Sequence, residues 1–358
     1  MIQVYIDPFS HEDLTRQPIR KEDITEDMDF WLVTWAFVRE YCRERNINLQ
    51  TINFWNAQRA TAEDVYATFN YKLLLTRVYW HWRKNKAYPI VVNPRRFKRR
   101  IMFQGEPPNM HPEVYVQMGR LARIFDAIFL TGKTDDSRFR HYWTPRPYTR
   151  VLPQYWENRQ RKFLVMVNGN KRGRLFRRAL MHFNAKYFAR DLIGERIRMA
   201  AFFATYGELD LYGYDWDKRP PFPYWFYKKR IEKAYKGTVP SKLQTLSEYA
   251  FCLAPENHIA RGFLGEALFD CFYAGTVPVY LGASDVETYI PKNCFIDMRD
   301  FANYEELRAF LKSRTEKDIE AYREHARAFL VSDKMHQFTK EHFAEVFVDA
   351  VTGKRRGV

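Results

Sequence analysis

Apolar and polar positions divide this chain into short buried runs and amphipathic stretches. Ile2 to Ile6 is an apolar run of strand length, and a polar, charged segment follows from Asp7 to Asp27. Phe30 to Arg45 carries Trp31, Trp35, Val38 and Tyr41 at helical spacing, and Ile47 to Ile52 predicts a second strand. Thr61 stands in N-cap position ahead of Glu63 and Asp64, which predicts a helix from Ala62 to Trp82. Tyr88 to Val92, Ile101 to Gln104 and Ala127 to Thr131 predict strands, with a helix from Pro112 to Asp126 between the last two.

The second half repeats the alternation. Phe163 to Val167 predicts a strand ending in Asn168-Gly169-Asn170, then a basic helix from Arg172 to Phe183 and another from Arg190 to Tyr206. Asp210 to Tyr214 predicts a strand, and Ser241 caps a helix from Lys242 to Tyr249. The strongest pattern is Tyr249 to Gly282: an apolar run (Phe251 to Ala254), a polar turn (Glu256 to Gly265), a helix (Glu266 to Ala274) stopped by Gly275, and a strand through Val277, Val279 and Leu281. This is the strand–turn–helix–strand unit of parallel α/β sheets, whose turn lies where open sheets bind ligands. Cys294 to Asp297 and Tyr304 to Lys312 predict one more strand and helix, and a charged helical tail runs from Asp318 to Ala350. Arg219 to Tyr227 is rich in proline and aromatic residues. It reads as an irregular loop, a packed connector in preference to a sugar-facing wall.

The 358 residues exceed one ordinary core and suit two domains of about 150 each. We place them at 1–153 and 154–315, with 316–358 a helical tail packing across the domain interface. The formal net charge of +15 favours anionic partners: nucleotide diphosphates, acidic glycans, anionic lipid or nucleic acid. Basic residues cluster at Arg95–Arg100 and again from Arg159 to Arg178. No DNA- or RNA-binding module accompanies them, so no nucleic-acid partner is expected. Cys42, Cys252, Cys271 and Cys294 stand far apart, as reduced core residues rather than a disulfide frame or zinc site. No signal peptide and no run of membrane-spanning length is visible. A cytoplasmic protein is expected, with peripheral contact at the inner membrane surface left open through the basic surface or the tail ending Lys354-Arg355-Arg356.

Two acidic motifs bear on chemistry. Glu106 follows Gly105 and precedes Pro107-Pro108, which presents it at a strand's carboxyl end. Local sequence alone favours an ordinary exposed loop glutamate over a catalytic one. Asp215-Trp216-Asp217 has the spacing of a metal-binding Asp-x-Asp motif, but three residues without context are assigned to a loop.

The segment from Lys236 to Phe301 resembles glycosyltransferase family 10, the α-1,3/1,4-fucosyltransferases. The resemblance is carried by YKGTVPSKLQTLSEYAFCLAPEN and by RGFLGEALFDCFYAGTVPVYLGASDVETYIPKNCFIDMRDF. Phe103-Gln104-Gly105-Glu106, Asn168 and Asp210 to Gly213 also fit, and the likeness is strong over about 160–310 and weak over 1–95. It implies a GT-B fold, two Rossmann-like domains facing a cleft, and inverting transfer of fucose from GDP-β-L-fucose to a glycan or glycolipid acceptor such as lipopolysaccharide. It implies no metal and no cofactor beyond the donor. On this resemblance Glu106 matches the general base, while Asn168, Arg174, Lys242, Glu256, Asn257, Phe263 and Glu266 fall on donor-site positions. Arg172 is a register alternative to Arg174, and Glu266 has the competing role of capping its helix. Gly265-Glu266-Ala267 stands where the family usually has Thr-Glu-Lys, so the family's diphosphate-contacting lysine is replaced by Ala267.

Overall fold

The computed structural model describes residues 1–7, 30–55, 63–69, 93–108, 110–157, 160–170 and 191–354. The chain divides into two compact units, Met1–Pro147 with Gln337–Val358, and Tyr148–His336. The first division falls inside the proline-rich stretch Thr144–Pro153.

The first unit is built on β1 (Ile2–Ile6), α1 (Phe30–Arg43), β2 (Ile47–Thr51), β3 (Val65–Thr68), β4 (Arg99–Gln104), α2 (Pro112–Tyr115), α3 (Met118–Leu121), β5 (Ala127–Leu130) and β6 (Phe139–His141). Its strands pair in the order β2-β1-β3-β4-β5-β6, each pair parallel. Two expectations change here. Val65–Thr68 is a strand, not the start of a helix: all four side chains are buried in a central position, and a Val-Tyr-Ala-Thr run suits that environment better than a helix. The helix expected over 112–126 is instead two short turns, α2 and α3. The rest of the expected helix over 62–82, the strand at 88–92 and the helix at 172–183 lie outside the described residues.

The second unit contains α4 (Pro153–Trp156), β7 (Lys162–Val167), α5 (Ile193–Thr205), β8 (Leu209–Tyr212), α6 (Lys228–Ala234), α7 (Lys242–Ser247), β9 (Tyr249–Pro255), α8 (Ala267–Ala274), β10 (Val277–Leu281), β11 (Ile296–Asp297), α9 (Tyr304–Lys312) and α10 (Glu316–Leu330). The strand order is β11-β10-β9-β7-β8, again parallel. Every strand therefore ends on the same edge of the sheet. The strand expected over 294–297 shrinks to Ile296–Asp297, because Lys292–Cys294 forms a single 3₁₀ turn. All seven residues of β9 are buried, as a strand flanked on both sides and covered on both faces requires.

The last helix, α11 (Lys340–Thr352), returns to the core of the first unit, where Phe343 and Phe347 pack on Trp35, Phe69 and Phe103. Phe69, Phe103 and Phe129 stack in a row, with centroids 4.7 and 4.6 Å apart. The tail of the sequence reading is thus divided: α10 belongs to the second unit and α11 to the first. All four cysteines are buried free thiols. No described helix is long and apolar enough to cross a membrane.

Candidate nucleotide-sugar site

In the second unit the turn after β9 is held from several sides. The Glu256 N–H donates to the Leu281 carbonyl of β10 at 2.8 Å. The Glu256 side chain folds inward, 4% exposed, and its carboxylate accepts the Gly265 N–H at 2.6 Å. Glycine at 265 is required by this approach, since a Cβ there would lie 2.2 Å from Glu256 Oε2. Farther along, the Gly262 N–H donates to Asp285 Oδ1 at 2.8 Å, and the Tyr289 hydroxyl donates to the other oxygen of the same carboxylate. Asn257 accepts the Leu192 N–H on its carbonyl at 3.1 Å, which ties the turn to the approach to α5.

Beneath the turn lies a buried polar layer. Arg196 of α5 donates to the Pro255 carbonyl at 2.8 Å. Burial pulls its pKa down, while the Glu256 and Asp191 carboxylates oppose that pull. His258 is 1% exposed, and among the described residues neither ring nitrogen has a hydrogen-bond partner. Burial first, and the Arg196 charge second, lower its pKa to about 3, so the ring is neutral. Phe263 packs on this ring with centroids 4.5 Å apart and is itself buried. The Tyr280 phenol is held well above its ordinary pKa by burial and then by Glu256.

The solvent side of the turn is the start of α8. Glu266 occupies the N-cap, is exposed and makes no side-chain cap bond, so capping is not its role in this structure. Lys242 of α7 sets its ammonium 2.7 Å from Asp270 Oδ2 in the first turn of α8. Burial works against this charge, but Asp270 and then Glu266 outweigh it and hold the lysine above its usual pKa. The arrangement sets a lysine ion-paired to Asp270 beside the N-terminus of α8, whose free N–H groups favour an anion. Asn168, at the end of β7, is fixed through its main chain: its N–H donates to the Tyr212 carbonyl at 3.0 Å, and its carbonyl accepts the Trp216 indole N–H. Asp215-Trp216-Asp217 is a turn in which Trp216 is buried and Asp215 pairs with Lys218.

Glu106 belongs to the first unit, directly after β4. Its side chain is exposed, and its carbonyl accepts Gln104 Nε2 at 3.0 Å and the Tyr115 hydroxyl at 3.1 Å. Burial, with the Glu106 charge as a further cause, raises the pKa of both Tyr115 and Tyr142.

The second unit thus gathers Lys242, Glu256, Asn257, Phe263 and Glu266 around one turn. Asn168 stands on the same sheet edge, Glu106 belongs to the other unit, and Arg174 lies outside the described residues. Sequence reading missed Arg196 and saw His258 only as one of the polar residues of the turn, with no role. Arg196 had a legible signal: it falls on the apolar face of α5, three residues after Ile193 and four before Ala200.

Comparison with known proteins agrees with this geometry. Residues 191–346 match the family description "Glycosyltransferase family 10 (fucosyltransferase) C-term". An Arabidopsis thaliana alpha-(1,4)-fucosyltransferase is 39% identical over 80 residues, 22% of this chain and 20% of that protein. The mouse 4-galactosyl-N-acetylglucosaminide 3-alpha-L-fucosyltransferase 9 is 42% identical over 72 residues, 20% of each chain. The matched stretch spans about a fifth of the length of these curated relatives. A solved alpha1,3-fucosyltransferase superposes with a TM-score of 0.57 at 13% identity, covering 99% of this chain and 91% of that one. The same enzyme type solved with GDP-fucose gives a TM-score of 0.52 at 13% identity, covering 100% of this chain and 91% of that one. These likenesses assign the GT-B fold. Over residues 191–346, somewhat under half of its length, the chain is similar to the C-terminal domain of glycosyltransferase family 10 (fucosyltransferase).

Proposed function

We propose that the chain is an inverting, metal-independent glycosyltransferase that moves L-fucose from GDP-β-L-fucose to a hydroxyl of a glycan acceptor. The observation that carries this reading is the family match over 191–346, which contains the whole turn Glu256–Glu266 and the start of α8. The names of the curated relatives and the GDP-fucose complex of the same fold support the donor.

In this mechanism the acceptor hydroxyl attacks the anomeric carbon from the face opposite the diphosphate. Its proton passes to the Glu106 carboxylate as the new bond forms. The bond from the anomeric carbon to the phosphate oxygen breaks with its electrons on that oxygen. The growing charge is met by Lys242 and by the N-terminus of α8. Lys242 supplies the cation beside the first turn of α8, where Ala267 has none. Glu266 and Asn257 accept and donate hydrogen bonds to donor hydroxyls, Arg174 reinforces the diphosphate site, and Glu256 keeps the turn in shape.

A second reading, transfer from another nucleotide sugar, draws on Ala267. A donor screen separates the two. GDP and GDP-fucose should raise the unfolding temperature more than UDP- or CMP-linked sugars. Protection by a different base alone would move the assignment to that donor.

A further inference from the structure

The segment 218–236 joins two features that the transfer reaction does not use. Three large side chains stand out into solvent: Phe222 at 74% exposure, Phe226 at 64% and Trp225 at 46%. They are not the result of a loose loop. Between them Tyr224 packs on the core of the second unit, and its hydroxyl accepts Arg198 at 3.1 Å. Gly194 leaves the room for that ring, since a Cβ there would lie 2.1 Å from the Tyr224 oxygen. Tyr227 packs on the same core, and Ile231 and Ala234 bury one side of α6. The segment is therefore half packed connector, as expected, and half exposed aromatic tip.

Around the tip the charge is one-sided. Residues 218–236 hold seven basic side chains and one acid; Lys218 pairs with Asp215, Lys228 with Glu232 and Lys236 with Asp210, which leaves Arg219, Lys229, Arg230 and Lys233 as the excess of positive charge. The Arg219 guanidinium lies over the Trp225 ring, 4.3 Å from its centroid. Phe222 meets the same ring edge-on at 6.1 Å. The indole is thus already in contact on a face and an edge, which makes it a poor platform for a sugar or a base. Aromatic residues fixed beside cations and exposed to solvent are the chemistry of a membrane–water interface.

We propose that this segment docks the protein on an anionic lipid bilayer, with Phe222, Trp225 and Phe226 entering the headgroup boundary and Lys229, Arg230 and Lys233 meeting lipid phosphates and carboxylates. The placement has a consequence. The segment leaves the sheet after β8, and because the strands are parallel this is the edge that also carries Asn168 after β7 and the turn after β9. A bilayer held there lies on the donor-site edge of the second unit. Preference for lipid-linked acceptors follows only if the transferase reading holds, whereas docking stands independently of it.

The test is sedimentation of the full chain with phosphatidylserine-rich vesicles and with pure phosphatidylcholine vesicles, without donor or acceptor. Binding to the anionic vesicles that weakens with salt is expected. Each basic residue near an anionic surface contributes about a fivefold factor, so Lys229→Gln/Arg230→Gln/Lys233→Gln should lower partitioning about tenfold to a hundredfold. Phe222→Ser/Trp225→Ser/Phe226→Ser should lower it by about tenfold or more at an unchanged unfolding temperature. If that variant does not fold, Phe226→Asp alone should give the same direction. The proposal is overturned if the wild type fails to sediment with anionic vesicles, or if the variants bind as the wild type does. It is equally overturned if single-stranded DNA, a soluble oligosaccharide or self-association, and not vesicles, proves sensitive to these substitutions.

Discussion

Replacing Gly265 by alanine drives a new methyl group into the carboxylate of Glu256. The added Cβ would lie 2.2 Å from Oε2 and 2.9 Å from the carboxyl carbon. The carboxylate has little room to retreat. Its side chain is buried, and its Cγ lies 2.5 Å from where a Cβ on Gly282 would stand. The substitution must therefore break the 2.6 Å bond from the Gly265 N–H. A hydrogen bond to a charged acceptor contributes about 1.5–3 kcal/mol, and overpacking adds about 1–3 kcal/mol. We predict a loss of about 3 kcal/mol, which for a unit of this size lowers the unfolding midpoint by about 6–12 °C. In a Glu256→Ala background the methyl has space, and alanine at a glycine of ordinary φ costs little or is favourable by about 0.4–1 kcal/mol. The double-mutant cycle should then give a coupling of about 3 kcal/mol. Urea denaturation of the four proteins, following the second unit's transition, measures it. Equal costs of Gly265→Ala in both backgrounds would refute the reasoning, as would a Gly265→Ala variant as stable as the wild type.

Three further outcomes follow from residues of the second unit. His258 has its folded pKa lowered to about 3 from 6.5, so between those values the unfolded chain binds a proton that the folded chain does not. Stability should be flat above pH 6.5 and fall as pH drops below it, by about 1–2 kcal/mol from pH 7 to pH 5; His258→Phe should flatten that slope in thermal melts, and an unchanged slope would reject the assignment. Lys242→Met should weaken GDP about tenfold to a hundredfold by calorimetry, with Lys242→Arg recovering part of the loss; wild-type affinity in the Met variant would exclude the lysine from the phosphate site. Gly275, with φ +66° and the Trp156 indole 3.0 Å from its would-be Cβ, closes α8, so Gly275→Ala should cost about 1–2 kcal/mol in the same denaturation assay.

The elements around the site were legible where local signals and tertiary context agree. The strand, polar turn, helix, Gly275 stop and strand of Tyr249–Gly282 all form, with Gly275 in the left-handed region its role as a helix stop requires. Ser241 caps α7 as its position predicts, accepting the Gln244 N–H at 3.3 Å. Legibility failed where tertiary context overrode a local signal. The cap-like Thr61-x-Glu63-Asp64 suggested a helix, yet Val65–Thr68 is drawn into the centre of a sheet, a pairing that no local window contains. Phe263 was assigned to the donor site from its place in the motif. In the structure its ring is buried against His258. The buried roles of Arg196 and His258 depend on contacts between residues 59 or more positions apart or on a neutral state that only burial imposes. Exposure of Phe222, Trp225 and Phe226 was equally invisible, because Tyr224 and Tyr227 in the same aromatic run are packed.

The central claim is that this chain transfers fucose from GDP-fucose with Glu106 taking the acceptor's proton. Its most direct test is to incubate wild type and Glu106→Gln with GDP-fucose, EDTA and a galactosyl-N-acetylglucosaminide, the acceptor named in the mouse relative, and to read product by mass. The account predicts a product one deoxyhexose heavier from the wild type. It predicts none from Glu106→Gln, although that variant still binds GDP as the wild type does. A wild type that neither transfers fucose nor is protected by GDP-fucose, or a Glu106→Gln variant of undiminished turnover, would contradict it.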